Sequence, residues 1–525
     1  MLFPSNRAAM RCLDFVLATE STIQPTEIRI VDLVLDPKTT SENLKKASPS
    51  VSAVIFPKQH FSVAKQYWQH SGDGISSRRG EFCHGLLQEG LLIDKSSLKP
   101  VVQQPPNFHK GPKRYRRGAS IDKTSSPPKI NGSDKSPIDS NAERETSQFV
   151  EERFGRNLDV SFLDNAKSAI RRRIAGSSPG HVDLKTGFNS KMDDNARGVA
   201  GLSEDDVYLY PCGMNSIFNA HQLMLKARGS LKSISFGFPY VDTLKILQKF
   251  GPGCLFYGNG SSEDLDDLES RLKNGERFLA LFAEFPGNPL LKSPDLQRIR
   301  KLSLEYDFAV VIDETIGNCI NVHVLPYADI VVSSLTKIFT GECNVMGGSA
   351  IFNPQGPYYS RLKEIAATQY EDNYWAEDVL FMERNSRDFV SRIDRINHNA
   401  EVICDVLSSH AVVKDVYYPK CVPSRKFYDA CRTPNGGYGG LLSVTFHKKA
   451  QAIAFFDRID TAKGPSLGTN FTLTSPYVIL AHFMELDWAS KFGLDPDLVR
   501  VSVGLEETAH LKEVFEEALK AAEAA

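Results

Sequence analysis

The chain has no apolar run long enough to span a bilayer, which takes about 20 consecutive apolar residues, so no membrane partner is expected. Charge of one sign does not dominate: 62 Lys and Arg face 64 Asp and Glu, leaving −2 at pH 7. A near-neutral chain lacks the field that holds nucleic acid or an anionic surface, so no nucleic-acid partner is expected either. The nine cysteines are scattered, with no CxxC pair and no tight Cys/His cluster. That gives no metal site and fits reduced thiols in an intracellular compartment. Asp14 and Glu20 come early and no signal-peptide h-region precedes them, while the terminal Ala-Glu-Ala-Ala is no peroxisomal address. A cytoplasmic protein is expected. No short internal repeat is present.

What is there is enough chain for two or three domains, since 525 residues exceed what one core fills. Residues 1–100 read as folded, of unknown role, with a strand over Val51 to Phe56 and a helix beginning near Ser62. From 101 to 147 the composition turns to Pro, Ser, Lys and Gly with few apolar residues, which predicts a flexible linker. Its basic cluster, Lys110 to Arg117, reads as solvated linker, with a nuclear signal or an anion patch as the alternatives.

Beyond it strands and helices alternate. The strands Val207 to Tyr210, Ser233 to Phe236, Cys254 to Tyr257, Phe278 to Phe282, Phe308 to Ile312 and Ile330 to Ser333 are separated by helical patterns. The reading is an α/β large domain over 148–395 with a mainly parallel sheet, followed by a smaller α/β domain over 396–525. Ligands of such sheets bind at the carboxyl ends of the strands. Glu284, Asp313, Ser334 and Lys337 fall just past predicted strand ends, so one pocket can collect them.

The stretch Ala328-Asp329-Ile330-Val331-Val332-Ser333-Ser334-Leu335-Thr336-Lys337 carries the chemistry. A lysine where a strand empties into a pocket can form a Schiff base with an aldehyde. Hydroxyls beside it can hold a phosphate, and Asp313 on a neighbouring strand end can pair with a pyridinium nitrogen. Pyridoxal phosphate (PLP) needs all three. Each has a plain alternative: a solvated lysine, a strand-to-helix turn at Gly213 and Met214, a turn at Asn288-Pro289, a packed loop tyrosine at Tyr240, a surface ion pair at Arg156. The combination is specific where the members are not.

Seven segments then fall in one order: Phe154-Gly155-Arg156, Cys212-Gly213-Met214, Glu284-Phe285-Pro286-Gly287-Asn288-Pro289, Asp313, Ser334-Leu335-Thr336-Lys337, Ser466-Leu467-Gly468 and Arg500-Val501-Ser502-Val503-Gly504. This order resembles the cystathionine γ-synthase/γ-lyase family of Cys/Met-metabolism PLP enzymes, over about 148–520. Trp68 to Gly72, Gly74 to Arg78 and Glu151 to Leu158 resemble the extension of its fungal branch. The resemblance implies the aspartate-aminotransferase-like type I fold with a seven-stranded-type sheet, and PLP as cofactor.

It also implies roles. Lys337 carries the cofactor and moves protons, Asp313 keeps the pyridine nitrogen protonated, and Tyr240 stacks on the ring and takes part in proton transfer. Gly213 and Met214, with Ser334 and Thr336, hold the phosphate. Arg156 reaches it from a neighbouring subunit, which requires a homodimer or homotetramer with shared active sites. Asn288 bonds the ring hydroxyl, and Arg500, assisted by Ser466, grips the substrate carboxylate. Phe154 stands where the family has Tyr, and Thr469-Asn470-Phe471 where it often has Glu. The implied reaction on small amino-acid substrates joins an O-acyl-L-homoserine to L-cysteine, giving L-cystathionine. Sulfhydrylation, γ-elimination or a γ-substitution in a specialised pathway are alternatives on the same scaffold. A truncated or degenerate copy acting as a binding or regulatory partner is the alternative of another class, motivated by Phe154, Phe471 and the apolar start Met1-Leu2-Phe3-Pro4-Ser5.

Overall fold

The computed structural model describes residues 1–98, 160, 162–176 and 196–525. The expected linker, Phe154 and Arg156 lie outside the described residues. The first 98 residues form an antiparallel sheet of β1 (Leu2–Phe3), β2 (Arg29–Leu35), β3 (Ser50–Ile55) and β4 (Leu92–Asp94), in the order β1-β3-β2-β4. Helices α1 (Asn6–Thr19), α2 (Phe61–Ser71) and α3 (Ser77–Gln88) accompany it. The Ser5 hydroxyl caps α1 by accepting from Ala8 N, and Ala8, Ala9, Cys12 and Val16 give the helix one buried stripe.

The central sheet has seven strands: β5 (Val207–Tyr210), β6 (Ser233–Phe236), β7 (Cys254–Tyr257), β8 (Ala280–Glu284), β9 (Ala309–Asp313), β10 (Ile330–Ser334) and β11 (Gly348–Phe352). Their order is β5-β11-β10-β9-β8-β6-β7, and only β11 runs against its neighbours. The inner strands are mainly apolar because both faces are covered. Side chains alternate between two cores. Leu281, Val310, Ile312 and Val331 point to one, with the helices Ser262–Lys273 and Leu296–Tyr306. Phe282, Val311, Ile330 and Val332 point to the other, with α4 (Gly213–Arg228) and α5 (Val241–Lys249). That second core continues into the N-terminal unit. The Tyr67 ring of α2 lies 6.2 Å from Phe218 of α4 and 6.0 Å from Phe250 just after α5.

The third sheet holds β12 (Val413–Tyr417), β13 (Leu441–Phe446), β14 (Ala462–Lys463), β15 (Leu473–Ser475) and β16 (Val499–Ser502), in the order β12-β13-β16-β15-β14. Helices α6 (Phe389–Ser408) and α7 (Thr508–Glu523) pack on each other beside it. The Ser443 hydroxyl of β13 donates to Pro289 O at 2.9 Å, tying this sheet to the loop after β8. Among the described residues no helix is long and apolar enough to cross a membrane.

Two strands begin later than the sequence suggests. β8 covers 280–284 and β9 covers 309–313, so Glu284 and Asp313 are last strand residues rather than residues past the strand ends, and Ser334 likewise closes its strand at 330–334. Phe278, Leu279 and Phe308 supply a buried apolar lead-in to the sheet, and Leu279 already bonds Lys232 O through its N–H and Ala309 N through its carbonyl.

Candidate active site

The carboxyl ends of β8, β9 and β10 lie side by side and are stitched together. Glu284 and Asp313 are register partners across the parallel pair. Thr315 N donates to Asp313 Oδ1 and Ser334 N donates to Thr315 Oγ1, each at 2.8 Å. Glu284 holds the flanking loops: its Oε1 accepts from Tyr240 N at 2.5 Å and its Oε2 from Asn288 N at 3.2 Å. Burial, reinforced by Asp313, pushes the Glu284 carboxyl up to about 8. Burial also raises Asp313, against the pull of its Thr315 hydrogen bonds. Glu284 is thus engaged by two loop amides, which leaves Asp313 as the strand-end acid placed to pair with a cationic ring nitrogen.

Lys337 lies three residues past β10. Its Nζ donates to Ser466 Oγ at 3.0 Å. Burial, then the nearby Arg500 charge, holds its amine below the ordinary lysine range, which favours the neutral, nucleophilic form. Gly468 explains the close approach of the 466–468 turn: at φ 73°, a Cβ there would meet Ile338 N at 2.5 Å. Arg500, on β16, is 2% exposed. Its Nη1 donates to Asn288 Oδ1 at 3.1 Å, and its Nη2 to Pro465 O at 2.5 Å and Ser466 O at 2.8 Å. Its guanidinium lies 4.3 Å over the Tyr477 ring, and burial lowers its pKa to about 10, still cationic at neutral pH. Asn288 Nδ2 donates to the Tyr477 hydroxyl at 2.9 Å. The Asn288 amide is thus engaged by Arg500 and Tyr477, and Ser466 meets both Lys337 and Arg500.

The third component is the start of α4. Its cap residue, Cys212, offers no hydroxyl or carboxylate cap, and a helix start of this kind suits an anion. Gly213 presses on β10: a Cβ there would sit 2.6 Å from Ser334 Cβ. Thr336 is bound locally, its hydroxyl donating to Gly347 O at 3.3 Å and accepting from Gly347 N at 3.1 Å. Tyr240 caps α5 and is 48% exposed, with burial of the remainder raising its phenol.

Lys337, Asp313, Tyr240, Asn288, Ser334, Thr336, Gly213, Met214, Ser466 and Arg500 therefore lie on strand ends, helix starts and loops at this edge, with Arg500 inside β16. Sequence reasoning missed Tyr477 and the bracing role of Glu284. A Tyr in Thr-Ser-Pro-Tyr carries no motif, and Glu284 was visible only as a carboxylate near a strand end. The donor set suits PLP: an amine shifted towards its neutral form, a carboxylate at a strand end and uncapped helix amides beside a serine. Among the described residues no group of His, Cys, Asp or Glu is arranged to hold a metal.

Fold and donor set together define a PLP-dependent enzyme of the type I fold. The chain belongs to the Cys/Met metabolism PLP-dependent enzyme family, whose model matches residues 198–520. Residues 1–76 match the fungal trans-sulfuration enzyme N-terminal domain. The chain is 58% identical to the cystathionine gamma-synthase of Neurospora crassa, over 100% of this chain and 86% of that one. It is 42% identical to a cystathionine gamma-synthase-like enzyme, iboG2, of Amanita muscaria, over 100% of this chain and 86% of that protein. A solved cystathionine gamma synthase from Xanthomonas oryzae pv. oryzae, in complex with aminoacrylate and cysteine, shares the fold. Its TM-score is 0.54 at 22% identity, over 70% of this chain and 100% of that chain.

Proposed function

We propose that the chain joins an O-acyl-L-homoserine to L-cysteine by γ-replacement, releasing L-cystathionine and the free acid. The observation that carries this reading is the Lys337–Ser466–Arg500–Asn288 chain of contacts beside Asp313, in a sequence 58% identical along its whole length to a cystathionine gamma-synthase.

PLP, when bound, supplies the electron sink that makes Cα and Cβ protons removable. Lys337 Nζ is the group that takes the Cα proton and then a Cβ proton, and burial with the nearby Arg500 charge shifts its amine in the direction that work needs. Ser466 Oγ fixes where that amine waits. Asp313 holds the charge that keeps a ring nitrogen protonated. Gly213 and Met214 amides with the Ser334 hydroxyl would hold the phosphate, joined by Thr336 once its hydroxyl turns from Gly347 O, and Tyr240 would stack on the ring. Asn288 orients both Arg500 and the ring hydroxyl. Arg500 binds the substrate carboxylate as a planar cation whose orientation is fixed by three acceptors. The acyloxy group leaves Cγ, the cysteine thiolate adds there, and the proton transfers reverse.

Arg156 is assigned to the phosphate of a neighbouring subunit, which makes the working unit a homodimer or homotetramer. An active monomer in sedimentation analysis would remove that assignment. The proposed compartment is the cytoplasm, supported by nine unpaired cysteines. The reaction is tested by mass-spectrometric product analysis with PLP, O-acetyl- or O-succinyl-homoserine, and cysteine or sulfide. Cystathionine formed from cysteine is expected. Homocysteine from sulfide in its place, or no condensation product, would overturn the reading.

A further inference from the structure

The N-terminal unit reaches the back of the elements whose front forms the site. Helix α2 ends at Gly72 (φ 64°), and the turn Ser71–Asp73 crosses to the start of α4. Asn215, in the first turn of α4, is 5% exposed and donates its side-chain amide to Ser71 O at 3.0 Å and to Asp73 Oδ1 at 2.8 Å. Those two bonds use both hydrogens of the amide. Gly72 lies so close that a Cβ would meet Asn215 N and Cys212 Sγ at 2.7 Å. Asp73 is itself 3% exposed, accepting from Arg11 Nε and Nη2 at 3.0 Å each and from the Tyr67 hydroxyl. A bare buried carboxylate beside amides meant for a phosphate would repel it. The forked Arg11 pairing neutralises it, so the turn braces the helix without an opposing field.

Two further handles lie close by. Gln69 Nε2 is 3.3 Å from Asp242 Oδ1 and His70 Nε2 is 3.5 Å from it, in the first turn of α5, whose cap is Tyr240. Arg78 donates to Asp378 Oδ1 at 2.9 Å and to Asn344 O at 2.6 Å, on the segment joining Lys337 to β11.

We propose that the N-terminal unit is a positioning element of the cofactor site, and that the Ser71–Asp73 turn, acting through Asn215, fixes the α4 start in its phosphate-holding place. The inference rests on the reading of that helix start and Ser334 as the phosphate site. A side-chain brace across 142 residues of sequence holds the first turn of α4 where the helix has no cap of its own.

The test uses the full chain, stripped of cofactor, with the variants Asn215→Ala, Asp73→Asn, Ser334→Ala and Arg7→Ala. Arg7 joins the unit to Thr368 O and Gln369 O, away from α4. PLP dissociation constants come from equilibrium dialysis, hydrogen exchange of the 213–215 amides from the apo protein, and folding from its melting curve. Asn215→Ala removes contacts without adding charge or bulk, so it keeps the test open should Asp73→Asn fail to fold. Asn215→Ala and folded Asp73→Asn are expected to weaken PLP binding at least tenfold and to speed exchange at 213–215, while Arg7→Ala changes neither. Native affinity and native exchange in Asn215→Ala, with Ser334→Ala weakened, would overturn the brace and leave the site. Native affinity in Ser334→Ala would overturn the phosphate-site reading and the brace with it.

Discussion

Replacing Gly213 with alanine puts a methyl group where β10 already stands. Its Cβ would lie 2.6 Å from Ser334 Cβ, 2.9 Å from Ser334 Oγ and 3.0 Å from Ser334 Cα. Carbon atoms rest at about 3.5–4.0 Å, so the two elements must part by roughly 1 Å. Ser334 cannot retreat, because it is paired with Gly348 and its N–H is bonded to Thr315 Oγ1. The start of α4 moves instead. Overpacking of this kind costs about 1–3 kcal/mol of stability. The same displacement carries the Gly213 and Met214 amides out of hydrogen-bond range of a phosphate. One charge-assisted bond is worth ~1.5–3 kcal/mol, which converts to roughly a 10- to 100-fold rise in the PLP dissociation constant. Equilibrium dialysis against PLP and a melting curve read both effects. Native cofactor affinity in a Gly213→Ala protein would refute the assignment of this helix start to the phosphate.

Two other predictions follow from the same geometry. Glu284 holds its proton in the folded state up to about pH 8, against an ordinary value of 4.5, so its contribution to stability is full below about pH 4.5 and is lost as pH rises through 8. The slope is at most ~1.4 kcal/mol per pH unit. Glu284→Gln should therefore melt with a flatter pH dependence across that window, and parallel native and variant curves would disprove the raised carboxyl. Arg500→Lys replaces a fork fixed by Asn288, Pro465 and Ser466 with a point charge. The KM for the homoserine ester should rise about 10- to 100-fold through loss of one charge-assisted bond, and a KM within twofold of native would release Arg500 from substrate binding.

The buried parallel strands were the most readable part of the chain. Ser233–Phe236 and Cys254–Tyr257 stand at their expected limits, since each is a short segment with apolar or alternating residues bounded by glycine-containing turns. β11 escaped notice because it opens on Gly348-Ser349-Ala350. Those small residues are needed there: a Cβ on Gly348 would meet Cys212 O at 2.2 Å. The two-residue strand β1 has no periodicity to read, and β2, which opens on Arg29, is nowhere fully buried. Of the site, the residues in short motifs were legible, and of their pairings only Ser466 with Arg500 was. Arg500 meets Asn288 across 212 residues and Lys337 meets Ser466 across 129, and no local pattern encodes such pairs. The Asn215–Asp73 contact, between the N-terminal unit and α4, is of the same kind.

Lys337 is the residue assigned to carry PLP. Borohydride reduction of the cofactor-loaded protein, followed by digestion and peptide mass spectrometry, locates the attachment directly. The added mass of the reduced cofactor is predicted on Lys337 and on no other lysine. Attachment elsewhere, or no attachment in a protein that still turns over substrate, would contradict it.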